Sequence, residues 1–442
     1  MGFVKRLPFF YGWVIVAVSF VTLALGVSTR TSFSLLFPPL LDEFGWDRGA
    51  TAAAFSIGFL ASTIYAPFSG TLIDRLGPRP VLSLGVVLTS LGMATTPFVT
   101  EPWHLYLTLG VLVVGGAFLI GYVGHSFFLP NWFVRRRGLA VGIAFSGVGI
   151  GAITVLPLLQ YIIEKIGWRE ACWSMAIVLA VLLIPLIVTF QRRDPNDLGL
   201  EPDGDTAARE TDTDASSDKP AANVVDAAWA ATEWTLARAL RTARFWWLFV
   251  GYTSVLFAWY AVQVHQTKYL TETGFSASQA AYALGMVGLG GIAGQIGLGH
   301  LSDRIGREWA WSASCVGYIL CCTALLLLPQ HPGSTVLYIV IIASQGLLGY
   351  GLTSVLGAIP LELFEGRRYS TIFGVLSIGI GLGCATGPWV TGIIYDAAGS
   401  YFLAWWLAIG LCALSLLCIW LAAPRKVRAV AGRVERTRAH NN

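Results

Sequence analysis

The feature that most constrains this chain is the spacing of its apolar runs. A bilayer core about 30 Å thick needs roughly 20 apolar residues per spanning helix. Runs of that length recur near 10–40, 48–73, 79–99, 103–130, 137–163, 169–190, 244–271, 276–301, 309–328, 334–360, 369–394 and 399–422. Helices are the expected form, because lipid cannot satisfy open backbone groups. Only 12% of the 442 residues are charged, about half the usual share of a soluble domain. Mean hydropathy is +0.66. The fold class expected is therefore an all-α polytopic membrane protein with twelve transmembrane helices. Lys5 and Arg6 precede the first run, but that run is too long for a signal-peptide core and lacks a small-residue cleavage site, so it reads as the first span.

Charge placement sets an expected orientation. Lys5/Arg6, Arg75/Arg79, Arg135–Arg137, the stretch from Arg192 to Arg244, Arg304/Arg307, Arg367/Arg368 and the tail from Arg425 fall on alternate connections. The opposite connections hold only Arg48, Lys165 and Arg169, and Arg30 and Lys268 fall within helices or at their ends. Both termini are thus expected in the cytoplasm, with the protein in the cell inner membrane. Basic residues in scattered clusters do not form a nucleic-acid surface. The seven cysteines lie in apolar stretches without metal-ligand spacing, so neither a metal, a cofactor nor a disulfide framework is expected. No phosphate-cradling loop, metalloprotease pair or nucleophile elbow occurs, which argues against an enzyme.

The chain repeats itself. Gly45-Trp46 is matched by Gly274-Phe275, and Gly70-Thr71-Leu72-Ile73-Asp74-Arg75-Leu76-Gly77 by Gly299-His300-Leu301-Ser302-Asp303-Arg304-Ile305-Gly306, both at an offset of 229. Further on the offset is 232: Gly142/Gly374, Gly147/Gly379, Gly151/Gly383, Glu164/Asp396, Gly167/Gly399 and Trp173/Trp405. Two pseudo-symmetric six-helix halves follow, 1–190 and 244–424. A polar linker at 191–243 separates them, and a basic tail occupies 425–442. The linker reads as flexible, with a short interfacial helix expected from about Trp234 to Arg244, and the tail is expected near anionic lipid. Repeats of this kind place a substrate site near the bilayer midplane. Gly142, Gly147, Gly149 and Gly151 in the fifth helix, with Gly374, Gly379, Gly381 and Gly383 in the eleventh, are expected to allow close backbone approach.

The Gly-x-Leu-x-Asp-Arg-x-Gly pattern resembles the signature loop of the major facilitator superfamily, and the resemblance covers nearly the whole chain. Tyr11-Gly12-Trp13 and Asn131-Trp132-Phe133-Val134-Arg135-Arg136-Arg137-Gly138 are similar to signatures of the bacterial monocarboxylate and oxalate–formate transporter family. The resemblance implies the major facilitator fold and gradient-driven transport by alternating access. Asp74, Arg75 and Arg79, with Asp303, Arg304 and Arg307, sit at helix ends where ion pairs and helix capping serve as gating contacts.

A charge inside a spanning helix costs about 2.5–3.5 kcal/mol on insertion scales and marks a functional candidate. Arg30, within Ser28-Thr29-Arg30-Thr31-Ser32, is the strongest. Its guanidinium fork matches a carboxylate. The resemblance adds that monocarboxylate transporters carry a functional Lys at the position aligned with the adjacent Thr31. His265, for substrate or a proton, and Lys268 are candidates in the seventh helix. Tyr122 and His125 are candidates in the fourth, with Gln345 and Tyr350 weaker ones in the tenth. The sequence departs from the family in helix eight, where Gln295 stands in place of the family's Arg, and residues 370–394 hold no Lys or Arg. Glu362 reads as an ion-pairing residue near Arg367 and Arg368.

The expectation is a secondary transporter of a small organic anion, a monocarboxylate by preference, with protons as coupling partner, membrane lipids around it, and function as a monomer. Two rivals stay open: efflux of apolar or aromatic compounds, and a membrane solute sensor that does not transport.

Overall fold

The computed structural model describes residues 9–133, 136–202, 224–366 and 368–428. Lys5, Arg6, Arg135, Arg367, residues 203–223 of the linker and the tail beyond Arg428 lie outside the described residues, as does the side chain of Asp74. The described residues contain twelve helices long and apolar enough to cross a membrane. They are α1 Gly12–Phe44, α2 Arg48–Leu76, α3 Pro78–Phe98, α4 Pro102–Trp132, α5 Arg137–Lys165, α6 Trp168–Phe190, α7 Ala243–Glu272, α8 Ala277–Ile305, α9 Arg307–Gln330, α10 Thr335–Leu363, α11 Tyr369–Ala398 and α12 Phe402–Ala422. No β-strand occurs among the described residues; one isolated bridge joins Val224 and Arg428.

The helices fall into two compact units. One comprises Met1–Phe44 with Ile57–Asp218, the other Gly45–Ser56 with Lys219–Asn442. The helix α2 therefore begins in the second unit and ends in the first.

Within the first unit α1 packs along α5, and within the second α7 packs along α11. The glycine ladders explain both. A Cβ on Gly147 would lie 2.3 Å from the Phe20 carbonyl oxygen, and one on Gly151 2.4 Å from that of Ala24. In the second unit a Cβ on Gly379 would meet Phe249 and Thr253 at 3.0 Å, and one on Gly383 the Thr253 carbonyl oxygen at 2.3 Å. Phe20/Phe249 and Ala24/Thr253 are themselves offset by 229, so the duplication preserved the contact and not merely the glycines. Helices in lipid gain little from hydrophobic burial against each other, and close van der Waals approach takes its place. Gly142 and Gly374 have open space, so their role is not helix contact.

The repeated motif also ends in glycine for a reason. Gly77 alone separates α2 from α3, and Gly306 alone separates α8 from α9, with φ of 81° and 118°. An L-residue with a side chain is strained there. Caps assist elsewhere: Ser276 accepts from Gln279 N and Gln279 returns the bond, starting α8, while Thr242 accepts from Phe245 N at the start of α7. Large apolar side chains such as Leu60, Ile64, Val181, Ile339 and Trp406 are exposed, as expected of helices that lipid surrounds.

The end of the linker differs from the expected interfacial helix. Ala227–Ala230 and Leu236–Leu240 are short helices capped by Asp226 and Thr235. Trp234 is only 6% exposed, its ring 5.1 Å from that of Phe364. Trp229 donates to the Leu363 carbonyl at 2.7 Å, under the Arg244 guanidinium at 4.0 Å. The backbone N–H groups of Val225 and Asp226 donate to Val427 O. Trp229 and Trp234 are thus used against protein. Arg425 pairs with Glu308 at 3.5 Å and Arg428 with Glu365, so the described part of the basic tail is held by acids of its own unit. Truncating the half-buried Trp229 to Ala is expected to cost about 1.5 kcal/mol locally, or roughly tenfold in opening of this strap. Limited trypsin cleavage after Arg238 and Arg241 reads it directly.

Candidate functional site

The polar stretch of α1 places Arg30 near the point where the helix is interrupted at Ser32. Its neighbours do not neutralise it. Thr29, Thr31 and Ser32 turn their hydroxyls back to the carbonyls of Leu25, Val27 and Thr29. The Arg30 side chain is partly buried, and its Nε lacks a hydrogen-bond partner among the described residues. No acidic side chain pairs with it there; the Phe59 ring lies 5.7 Å from the guanidinium carbon, a weak interaction at that distance. A cation that gains so little from its surroundings is chemically suited to receive an anion. The Ser28 hydroxyl is also buried without a hydrogen-bond partner among the described residues.

Tyr122 and His125 lie just past a break in α4. A π-type stretch at Tyr106–Val114 widens that helix, and Ile120 and Gly121 then leave helical geometry. Such distortions expose backbone groups and gather at functional positions. The His125 ring is fully buried, donates from Nδ1 to the Gly121 carbonyl at 3.0 Å, and leaves Nε2 without a partner among the described residues. The Tyr122 ring packs edge-on to Phe145, centroids 4.9 Å apart. Neither bonds to Arg30.

The tenth helix is distorted in the same manner, with a π-type stretch at Ser344–Leu348 followed by a tight turn at Gly349–Gly351. Tyr350 stands in that turn, its ring 4.5 Å from that of Trp259, which also packs on Tyr318. The Gln345 Oε1 and Tyr318 hydroxyl are buried without hydrogen-bond partners among the described residues. Gln295 is half-buried on α8.

His265 and Lys268 belong to a different constellation, at the end of the second unit where α2 starts and α7 and α11 finish. Arg48 is its centre and is 9% exposed. Its guanidinium makes a forked pair with Glu272, 3.1 Å for Nη1 to Oε2, and donates from Nη1 to the Tyr401 hydroxyl at 2.8 Å. It lies over the Tyr395 ring at 3.5 Å. Asp396 accepts from the backbone N–H groups of Arg48 and Gly49 at 2.9 and 2.7 Å, capping α2 from another helix. Lys268 Nζ reaches Glu272 at 4.0 Å. His265 is fully buried, its Nδ1 2.9 Å from Tyr401 Oη and its Nε2 2.8 Å from Pro388 O. Burial pushes the Tyr401 phenol well up, against the pull of Arg48, so its hydroxyl keeps its proton.

Sequence reading did not find Arg48, Glu272, Asp396 or Tyr401 as a group. One signal was present. A cation at a helix N-terminus opposes the helix dipole, so an Arg beginning an apolar run on the charge-poor side demands acidic partners.

Of the residues expected at gates, Asp303 pairs with Arg307 at 2.6 Å, and Arg307 also binds Glu362 at 2.8 Å. Glu362 is thus an ion-pairing residue, though with Arg307. Arg79 donates to the carbonyls of Gln191 and Thr189 at 2.6 and 3.4 Å, closing the C-terminal end of α6. Arg75 and Arg304 are exposed. No group of three or more potential metal ligands occurs among the described residues.

A family model described as the Major Facilitator Superfamily matches residues 16–356. Similar curated proteins include the rat (Rattus norvegicus) Monocarboxylate transporter 13, 26% identical over 396 residues, 88% of this chain and 84% of that one. The rat Monocarboxylate transporter 12 is 28% identical over 411 residues, 90% and 82% of the two chains. Among solved structures, the fold resembles a bacterial homolog of the human lysosomal transporter Spinster, TM-score 0.68, 15% identity, covering 93% of this chain and 97% of that one. It also resembles the nucleoside transporter NupG, TM-score 0.69, 14% identity, covering 93% and 100%.

Proposed function

Since the chain belongs to the Major Facilitator Superfamily, and is a multi-pass membrane transporter and not an enzyme, we propose that its substrate is a small organic anion, a monocarboxylate, moved by alternating access with a proton as coupling ion. The observation that carries this reading is Arg30: a partly buried cation in a spanning helix with no acidic partner among the described residues. A guanidinium fork and a carboxylate form two parallel charge-assisted bonds. Similarity to monocarboxylate transporters 12 and 13 over most of the chain supports the same substrate class. A cation such as Arg30 suits a monoanion; the lack of Lys and Arg in 370–394 argues against a dianion.

In this reading the ion pairs around Arg307 and the cap supplied by Arg79 are contacts of one access state. Asp74, Arg75 and Arg304 serve the same ends. Tyr122, His125 and Gln295 contribute polar contacts to the substrate. The protein works as a monomer in the cell inner membrane with both termini cytoplasmic.

A second reading, export of aromatic compounds, draws on the Trp259–Tyr318–Tyr350 cluster. Uptake of a panel of labelled carboxylates by purified protein in liposomes, with and without an imposed inward proton gradient, separates the two. Gradient-stimulated uptake of at least one monocarboxylate is expected. Failure with every carboxylate, alongside transport of neutral aromatic compounds, would favour the second reading.

A further inference from the structure

The bonds around Arg48 have a direction, set by one backbone carbonyl when the His265 ring is neutral. Pro388 O can only accept, so the His265 nitrogen 2.8 Å away, Nε2, carries hydrogen. In a neutral imidazole Nδ1 is then an acceptor. The Tyr401 hydroxyl therefore donates to Nδ1 across 2.9 Å, leaving its oxygen free to accept from Arg48 Nη1 at 2.8 Å. Arg48 in turn is held against Glu272, and its backbone N–H against Asp396. With His265 neutral, every bond in the chain from Pro388 to Glu272 has one donor and one acceptor.

The groups around the ring are Arg48 from α2, Tyr401 ahead of α12, Tyr395 and Asp396 at the end of α11, and Lys268, Tyr269 and Glu272 on α7 itself. A proton taken from bulk water onto Nδ1, with Nε2–H unchanged, reverses the first bond. Nδ1–H then points at the Tyr401 oxygen, the Tyr401 hydrogen loses its acceptor, and an imidazolium stands beside a guanidinium across one phenol. Like charges at such separations repel, and more strongly in a low-dielectric interior.

We propose that His265 is a proton-operated positioning residue: neutral, it orients Tyr401 and through it Arg48, pinning the first turns of α2 to α7 and α11; protonated, it releases them. This deepens the proton coupling proposed above and rests on that reading for its role in transport, but not for the latch itself. Closure is tight, since a Cβ on Gly392 would stand 2.6 Å from Gly49 Cα. The same bonds make the latch all-or-none: Asp396 caps α2 only while Arg48 and Gly49 are in place.

Hydrogen–deuterium exchange of the full-length protein in lipid nanodiscs, without substrate, tests the latch. The readout is the peptide covering 45–56, compared at pH 8 and pH 5 after scaling for intrinsic exchange. The wild type is expected to exchange there about tenfold faster at pH 5, the effect of one pKa unit of coupling. His265→Gln keeps a donor for Pro388 O and an acceptor for Tyr401, cannot titrate, and is expected to stay slow at both pH values. Tyr401→Phe cuts the link and is expected to lose the pH response while remaining folded, as unchanged protection in α9 would report. A wild-type peptide indifferent to pH overturns the proposal, as does a pH response that survives in His265→Gln, which would assign it to Glu272 or another acid. Because no substrate is present, these outcomes are independent of whether carboxylates are transported.

Discussion

Arg30→Ala is expected to abolish saturable carboxylate uptake while leaving the protein folded in the membrane. Removing one member of a buried charge pair costs about 2–5 kcal/mol, or roughly 30- to several thousand-fold in affinity. The unliganded fold loses almost nothing, because Arg30 gives no hydrogen bond from Nε and has no acidic partner among the described residues. Arg30→Lys retains the charge without the fork, and its apparent affinity is expected to fall about tenfold. The two variants together separate charge from geometry. Uptake kinetics in liposomes, normalised to reconstituted protein, provide the measurement. An acid on a neighbouring element would have reversed the expectation, making Arg30→Ala primarily a folding defect.

The second large effect concerns the ladders that join α5 to α1 and α11 to α7. Gly383→Leu is expected to prevent recovery of folded protein, because the first added carbon would already stand 2.3 Å from the Thr253 carbonyl oxygen and backbone cannot rotate away. Gly383→Ala is expected to cost about 3 kcal/mol, the upper end of overpacking. Gly374→Ala, in the same helix with nothing within 4 Å, is expected to be neutral or to stabilise by about 0.5–1 kcal/mol, through the lower flexibility of Ala in a helix. Thermal unfolding of the detergent-solubilised variants distinguishes these cases. Equal melting points for Gly383→Ala and Gly374→Ala would show that the close approach does not support the fold.

What could be read in the sequence was whatever depends on local order. Twelve spans follow from run length alone, and the ladders from glycines recurring at a constant offset of 232. Arg30 was legible because a charge inside an apolar run is conspicuous without knowing its surroundings. The Arg48 constellation was not. Its partners Glu272, Asp396 and Tyr401 lie 224, 348 and 353 residues away, and each alone reads as an ordinary residue at a helix end. His265 was visible as a buried titratable group, but its role depends on Pro388 O and Tyr401 Oη, which only the fold brings to its two nitrogens. The linker end was legible as a short helix. Its burial was not, because Trp229 and Trp234 pack as well on Phe364 as they would on lipid.

Both helix-break regions carry the same lesson. Tyr106–Val114 does not break the hydropathy pattern and Ser344–Leu348 interrupts it only briefly within one span, yet both depart from regular α-helix at or just before polar residues of interest. Hydropathy reports which medium a segment occupies, not how its backbone turns within it.

The central claim, that Arg30 receives the carboxylate of a small organic anion, is tested most directly by a structure of the protein soaked with a bromine-labelled short-chain carboxylate. The account predicts carboxylate oxygens within about 3 Å of the Arg30 guanidinium nitrogens, with the bromine located by its anomalous signal beside them. A guanidinium paired with an acidic side chain, and bromine density elsewhere, would contradict it.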